Sequence, residues 1–188
     1  MNRRWNQHAG LLAVLLLVGV ISLLYWWRST RLDHSQDSVI RIAASRYGVD
    51  PSLVKAVVWQ ESRFNPGIRG KAQEIGLMQL QEATAQEWAD AERVRPFQHE
   101  HCFNPLTNTL AGTWYLKKLI RRYGQTDNPL PYALADYNAG RGNVLKWNSG
   151  EAATNSAVFV EQIGFPGTKA YVKSVLARYR HYKPVWRG

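Results

Sequence analysis

The chain has 188 residues, a formal net charge of +10 and a single cysteine, Cys102. This length suits one domain of ordinary size with a short appendage, and one cysteine excludes an intramolecular disulfide. The charge favours an anionic partner, but lysine and arginine are spread along the chain and form no nucleic-acid-binding motif. We therefore predict no nucleic-acid partner, and we expect the lone thiol to be a small buried side chain.

The first element is an uncharged, mostly aliphatic run from Ala9 to Trp27. At about 1.5 Å per residue, a helix of this length spans a hydrocarbon core of roughly 30 Å. We predict a short cytoplasmic N-terminus at 1–8, a transmembrane signal-anchor at 9–27 and a polar tether at 28–37. A cleaved signal peptide is the alternative, although the bulky residues from Leu23 to Trp27 do not resemble a cleavage site.

Residues 38–188 are predicted to form one mainly α-helical domain, because alternating strand patterns are weak and helical periodicity dominates. A short hairpin between residues 66 and 75 is left open. The predicted helices cover residues 39–47, 51–62, 77–89, 106–123, 130–138 and 169–182.

Glu61 is an acidic residue on an apolar stripe. The second predicted helix begins at Asp50 and Pro51, a cap and a first-turn proline. Its apolar residues are spaced by three and four, and Glu61 follows Val57 by four and Val58 by three. A carboxyl group there loses hydration, which raises its pKa and suits a general acid. The alternative is an ordinary glutamate at a helix end that turns to solvent.

Several short motifs follow in a fixed order along the chain. They are Glu61–Pro66, Gly76–Leu80, Asn104–Pro105, Tyr115–Leu116, Ala135–Gly140 and Phe159–Ile163 with Thr168 and Tyr171. Each motif alone is weak. Together they resemble the catalytic domain of lytic transglycosylases of the soluble-transglycosylase (SLT) type, which is related in fold to goose-type lysozyme. The resemblance covers about residues 38 to 183 and implies a lysozyme-like helical globular domain.

The resemblance implies that the substrate is the peptidoglycan glycan strand, with no cofactor and no metal. Glu61 matches the catalytic acid/base of the family. It would protonate the leaving oxygen of the MurNAc-β-1,4-GlcNAc bond and then take a proton from the C6 hydroxyl of the muramoyl sugar. The product is a 1,6-anhydro sugar, and the internal nucleophile removes the need for the second carboxylate of most glycosidases.

The resemblance also implies a set of residues that bind substrate around Glu61. They are Ser62, Met78, Gln79, Tyr115, Tyr137, Asn138 and Tyr171. Each has a plain structural alternative, such as a helix-end hydroxyl bonded to its own backbone for Ser62 and a core side chain for Met78. Glu74 is the best candidate for a second carboxylate, and its alternative is a structural hydrogen bond in a loop.

Three other functions are left open by the sequence. The first is a hydrolytic lysozyme on the same fold, and the second is a non-catalytic peptidoglycan-binding component of an envelope assembly. The third, a DNA-binding membrane protein, is motivated by charge alone. With the anchor, the resemblance implies a single-pass protein of the bacterial inner membrane with its catalytic domain in the periplasm. The sequence is compatible with two biological roles: general turnover of the cell wall, and local cleavage of the wall for a secretion, pilus or conjugation apparatus.

Overall fold

The structure, a computed structural model, describes residues 14–24 and 32–186. The chain divides into two compact units, Met1–Ser35 and Gln36–Gly188. In the first unit, residues 14–24 are helical and their side chains are exposed. The remainder of the predicted signal-anchor, 9–13 and 25–27, lies outside the described residues, as do 1–8 and the start of the tether at 28–31. Among the described residues, no helix is long and apolar enough to cross a membrane.

The second unit is mainly helical, which confirms that part of the prediction. Its α-helices are α1 (Asp37–Tyr47), α2 (Pro51–Ser62), α3 (Glu82–Ala91), α4 (Pro105–Arg122), α5 (Pro129–Ala139), α6 (Arg141–Trp147), α7 (Ser156–Gln162) and α8 (Pro166–Tyr182). Two 3-10 helices, His99–Phe103 and Gly150–Ala153, connect them. Within residues 32–186 the only β pairing is two isolated bridges, Arg69 with Ile75 and Ile75 with Leu80.

Three helices begin in the same way, with an Asp or Asn cap followed by proline. Asp50, Asn104 and Asn128 each accept a hydrogen bond from a backbone N–H of the first turn, and Pro51, Pro105 and Pro129 follow them. Proline costs nothing at this position because the first N–H groups of a helix have no internal partner. This local chemistry explains why the predicted starts lie within one residue of the observed ones.

Helix α2 is the centre of the fold. Every residue from Ser52 to Val58 is buried, so the helix is covered on all sides rather than on one apolar face. It packs against α1 and α8, while α4 contacts α1, α3 and α5. The one charged residue in this buried stretch, Lys55, donates to Asp37 Oδ1 at 2.9 Å, so the buried ammonium group has a counter-ion.

The predicted helix over 77–89 is wrong at its start, since α3 begins at Glu82. Residues 76–80 form a tight loop in which Gly76 and Gln79 have positive φ. Asn108 of α4 holds this loop: its Oδ1 accepts from Met78 N at 2.8 Å, and its Nδ2 donates to the carbonyls of Ile75 and Cys102. The side chain of Asn108 thus forms hydrogen bonds with backbone groups that would bond to other backbone groups if this segment were a helix. The short helices α6 and α7 were not predicted.

Candidate active site

A cleft of about 460 Å³ opens beside the C-terminal end of α2. Its walls come from α2, from the loop between α2 and α3, from the first turn of α3, from α4 and from the end of α5. The residues that line it are Glu61, Gly70, Lys71, Glu74, Gln79, Leu80, Gln81, Thr84, Tyr115 and Asp136–Gly140. Six of the predicted site residues are therefore brought to one cleft, together with several that were not predicted.

Glu61 projects into this cleft from the last turn of α2. The hydroxyl group of Tyr171 donates to Glu61 Oε1 at 2.5 Å. Burial raises the pKa of Glu61 from 4.5 to about 7; the Tyr171 hydrogen bond opposes this rise, and the negative charge of Glu74 adds to it. Near neutral pH the carboxyl group is therefore divided between its acid and its carboxylate forms. A group of this kind can donate a proton and later accept one.

Three tyrosines from three helices contribute to the site: Tyr171 bonds to Glu61, and Tyr115 and Tyr137 line the same cleft. Tyr137 donates its hydroxyl to Met78 O at 2.8 Å, and the rings of Tyr115 and Tyr137 lie 5.6 Å apart. Burial, the largest cause, raises the pKa of Tyr137 and of Tyr171 well above 10, and the charge of Glu61 raises both further. These hydroxyl groups therefore stay protonated, and Tyr171 is kept as a hydrogen-bond donor to Glu61.

Glu74 also lines the cleft, and its carboxylate lies close to Gly70. Glu74 Oε2 accepts from Ala72 N at 2.9 Å, and Glu74 O accepts from Gly70 N at 2.7 Å. A Cβ atom on Gly70 would lie 2.2 Å from Glu74 Oε2 and 2.8 Å from Gln79 Oε1. A side chain at position 70 would therefore displace the carboxylate of Glu74 from its present position, in which it is bound by the backbone.

Three predicted substrate-binding residues lie outside the cleft lining: Tyr171, which lines a neighbouring cavity, Ser62 and Met78. Ser62 is buried, and its hydroxyl donates to Val58 O at 3.0 Å, as a helix-end serine does. Met78 is fully buried and packs on Gly112, where an added Cβ would lie 2.4 Å from Met78 Sδ. Met78 contributes to the site through its backbone carbonyl, which accepts the hydrogen bond from Tyr137, and not through its side chain. A role of either side chain in substrate binding stays a prediction.

Gln79 and Asn138 line the cleft as predicted site residues, each held by its neighbours. Gln79 Nε2 donates to Gly76 O at 2.9 Å, and Asn138 Oδ1 accepts from Thr168 Oγ1 at 2.8 Å. Asn138 also lines a second cavity on the Tyr171 side of the site. The two amides are therefore positioned by hydrogen bonds within the protein, with Asn138 at the boundary between the two cavities.

Sequence reasoning missed Asp136 as a cleft residue. Its side chain is 1% exposed, and Arg122 Nη1 and Tyr123 OH both donate to its Oδ2 at 2.7 Å. The available signal was its position in α5, where a charged residue interrupts a buried stretch from Pro131 to Ala135. A carboxylate in such surroundings requires partners, and here they are an arginine and a tyrosine of α4 and its cap.

Comparison with known proteins identifies the family. The sequence model described as "Transglycosylase SLT domain" matches residues 38–160, more than half of the chain. The soluble lytic murein transglycosylase of Salmonella typhimurium is 35% identical over 139 residues, 71% of this chain and 21% of that protein. The membrane-bound lytic murein transglycosylase F of Desulfosudis oleivorans is 38% identical over 109 residues, 56% of this chain and 22% of that protein.

Solved structures show the same fold. An inactive mutant of the lytic transglycosylase Slt from Pseudomonas aeruginosa matches with a TM-score of 0.75 and 26% identity, over 82% of this chain and 25% of that one. The 70 kDa soluble lytic transglycosylase of Escherichia coli matches with a TM-score of 0.70 and 30% identity, over 79% of this chain and 24% of that one. The chain spans about a fifth to a quarter of the length of these relatives. With a lysozyme-like helical fold and an SLT sequence signature, the chain belongs to the SLT transglycosylase domain family.

Proposed function

We propose that the protein is a peptidoglycan lytic transglycosylase that cleaves the MurNAc-β-1,4-GlcNAc bond and leaves a 1,6-anhydro-MurNAc end. The observation that carries the proposal is the state of Glu61: a cleft-facing carboxyl group whose pKa is raised to about 7 and which receives a hydrogen bond from Tyr171. The names of the relatives, lytic murein transglycosylases, support the same substrate and reaction.

In the proposed reaction Glu61 acts first as an acid and then as a base. The protonated carboxyl group donates to the leaving glycosidic oxygen, and the carboxylate then accepts the proton of the C6 hydroxyl group, which attacks C1 of the same sugar. Tyr171 stays a donor throughout, so it stabilises the carboxylate formed in the first step and fixes its orientation. A pKa near the working pH favours both proton transfers.

Product analysis on purified sacculi tests this proposal. Wild-type protein is expected to release anhydro-muropeptides, identified by mass spectrometry, and Glu61→Gln is expected to release none, because an amide cannot donate the required proton. Glu82→Gln is the matched control, since Glu82 is exposed in the first turn of α3 and does not line the cleft. Undiminished release of anhydro products by Glu61→Gln would refute the assignment.

A hydrolytic muramidase is the second candidate, because Glu74 lies in the same cleft and its charge raises the pKa of Glu61. A free carboxylate across the cleft could activate water, and the product would then have a reducing end. The hydrogen bond from Ala72 N to Glu74 Oε2 favours a structural role instead. Reducing ends from wild type that disappear in Glu74→Gln would establish the hydrolytic reaction.

We also propose that residues 9–27 anchor the protein in the bacterial inner membrane with the catalytic domain in the periplasm. This rests on the uncharged apolar run in the sequence and is supported by one relative named as membrane-bound. Carbonate-washed membranes should retain the full-length protein. An intact mass that lacks the first residues, with the protein released from membranes, would indicate a cleaved signal peptide instead.

A non-catalytic component of an envelope assembly is a further alternative, and a secretion, pilus or conjugation apparatus is a partner that the sequence leaves open. The intact Glu61 and its raised pKa favour catalysis over binding alone. The same sacculus assay decides this point, since a binding module would leave the strands uncleaved.

A further inference from the structure

Two residues with an unfavourable backbone conformation follow directly after α2. The helix ends at Ser62, and the next residues, Arg63 and Phe64, both lie in the left-handed region, with φ of 52° and 64°. Residues other than glycine avoid this region because Cβ comes too close to the following carbonyl oxygen. A bulky residue adopts it only where the surrounding contacts enforce it. The cause of this turn, within three residues of Glu61, must therefore lie in the tertiary contacts of the two side chains.

The left-handed turn fixes the last turn of α2, which carries Glu61. Arg63 N donates to Trp59 O at 3.1 Å. Asn65 N donates to Ser62 O, also at 3.1 Å. The last four carbonyl groups of a helix have no partner within it, so bonds of this kind keep the helix end from fraying. The direction in which the side chain of Glu61 enters the cleft therefore depends on this turn.

The side chain of Arg63 leaves the turn towards solvent and folds back along α2. It is exposed, and its guanidinium group donates to Trp59 O at 2.7 Å. The guanidinium carbon of Arg63 lies 3.2 Å from the centroid of the Trp59 ring, and that of Arg178 lies 3.7 Å from it. Two planar groups this close to one ring occupy opposite faces, since they would otherwise clash. Contacts at the surface thus hold the first residue of the turn.

The side chain of Phe64 leaves the turn towards the core and packs beside a buried ammonium group. Phe64 is 3% exposed, and its ring centroid lies 5.7 Å from Nζ of Lys55, which is fully buried. The same Nζ lies 4.4 Å from the ring centroid of Trp186 and 4.9 Å from that of Tyr182, and it donates to Asp37 Oδ1. An ammonium group within about 6 Å of an aromatic ring is attracted to its face. We call Lys55 with the three aromatic rings the lysine cage.

We propose that Phe64 is a positioning residue for Glu61: its ring, held in the lysine cage, maintains the left-handed turn that directs Glu61 into the cleft. The inference rests on the proposed function for its effect on the reaction. Phe64 itself is not among the described residues that line the cleft, so it acts through the backbone. Without the ring, the backbone is expected to relax to an ordinary conformation, and the last turn of α2 then moves the carboxyl group of Glu61. Proton transfer depends on such geometry, and a misplacement of about 1 Å can cost about 100-fold in rate.

Phe64→Leu tests the proposal, and Phe159→Leu is the matched control. Both substitutions remove a buried ring, but Phe159 packs on Tyr132, with ring centroids 4.0 Å apart, and is also outside the described lining of the cleft. On soluble peptidoglycan strands, Phe64→Leu is expected to lower kcat about ten-fold or more and to change KM by less than about two-fold. Phe159→Leu should lower the free energy of unfolding but keep kcat and KM close to those of wild type.

The ionisation of Glu61 separates positioning from a general loss of stability. Burial raises the pKa of Glu61 to about 7, and in Phe64→Leu this pKa should fall towards 4.5 because the carboxyl group moves towards water. The alkaline limb of the kcat profile should move to lower pH with it, since the acid form is lost earlier. Carbon-13 NMR of the labelled Glu61 carboxyl group, in full-length protein in mild detergent, measures the pKa. Phe159→Leu should leave it unchanged.

Lys55→Met tests the lysine cage itself. It should lower kcat and the pKa of Glu61 in the same direction as Phe64→Leu but by less, because the apolar contacts with the rings remain. In the double variant the loss of kcat should be smaller than the product of the two single losses, since both substitutions act through the same turn. A loss equal to that product would show that Lys55 acts by another route and would overturn the role of the cage.

Three results would decide against the proposal or against its premise. An unchanged kcat and an unchanged pKa of Glu61 in folded Phe64→Leu would overturn it, and so would equal changes in Phe159→Leu. If circular dichroism shows that Phe64→Leu does not fold, Lys55→Met decides, and an unchanged pKa of Glu61 in that variant overturns the proposal. Absence of cleavage by wild type would refute the proposed function, while the NMR titration still decides whether Phe64 positions Glu61.

Discussion

Replacement of Glu61 by glutamine is expected to stabilise the protein above neutral pH. The pKa of Glu61 is raised from 4.5 to about 7 on folding, chiefly by burial. Because the folded state holds the proton more tightly than the unfolded state, the contribution of Glu61 to stability is fully present below pH 4.5 and is lost as pH rises towards 7. A difference of about 2.5 in pKa, at about 1.4 kcal/mol per pKa unit, is a loss of roughly 3–3.5 kcal/mol.

The assay is urea unfolding of full-length wild type and Glu61→Gln at a series of pH values between 4 and 9 in the same detergent. All other titrating groups are common to both proteins, so they cancel when the two free energies of unfolding are subtracted. The difference in favour of Glu61→Gln should grow by roughly 3 kcal/mol between pH 4 and pH 8 and then level off. A difference that does not change with pH would refute the reasoning, because it would mean that Glu61 titrates at its ordinary pKa.

Tyr171→Phe sharpens this test, because it removes the one interaction that lowers the pKa of Glu61. The pKa should rise further, and the stability should continue to fall at higher pH than in wild type. A carbon-13 NMR titration of the labelled Glu61 carboxyl group measures the pKa directly. A lower pKa in Tyr171→Phe than in wild type would contradict the assigned role of the hydroxyl group.

Three further substitutions test the packing around the site, each by urea or thermal unfolding. Gly112→Ala should destabilise the protein by about 1–3 kcal/mol, because its Cβ would lie 2.4 Å from Met78 Sδ. The control is Gly142→Ala, which should stabilise the protein by ~0.5 kcal/mol because nothing lies within 4 Å of the added Cβ. Equal effects of the two substitutions would exclude this explanation. Asn108→Ala should cost at least about 3 kcal/mol, since three buried backbone groups lose their partner, and a cost below 1 kcal/mol would show that the loop 76–80 holds itself. Asp136→Asn should cost about 2 kcal/mol through its weakened bond to Arg122, and it should do so less at high salt.

Much of the site was predictable because its signals are local. Spacings of three and four put Glu61 at the end of an apolar stripe, and α2 does end beside a cleft with Glu61 in its wall. The tyrosines were identified through the order of motifs rather than through their own spacing. Tyr171 is 110 residues from Glu61 in sequence, and no local pattern predicts that their side chains form a hydrogen bond.

The sequence-based errors at residues 77–81 and at Asp136 have a common physical cause. In both places a residue far away in the chain forms the hydrogen bonds that decide the local structure. The apolar run from Leu77 resembles the start of a helix, yet Asn108 takes the backbone groups of residues 75–78 and holds them as a loop. The sequence does not mark Asp136 as a cleft residue, because its partners, Arg122 and Tyr123, lie on another helix and its cap.

The sequence by itself determined where most helices lie and that one carboxyl group sits on an apolar stripe, because helical period, Asp and Asn caps and first-turn prolines act between near neighbours. Tertiary structure alone decided which side chains face the cleft. It turned the Ser62 hydroxyl to its own helix, buried the Met78 side chain while leaving its carbonyl for Tyr137, and brought Arg63 and Arg178 to the two faces of Trp59. These outcomes depend on contacts between segments far apart in the chain, which only close packing brings together.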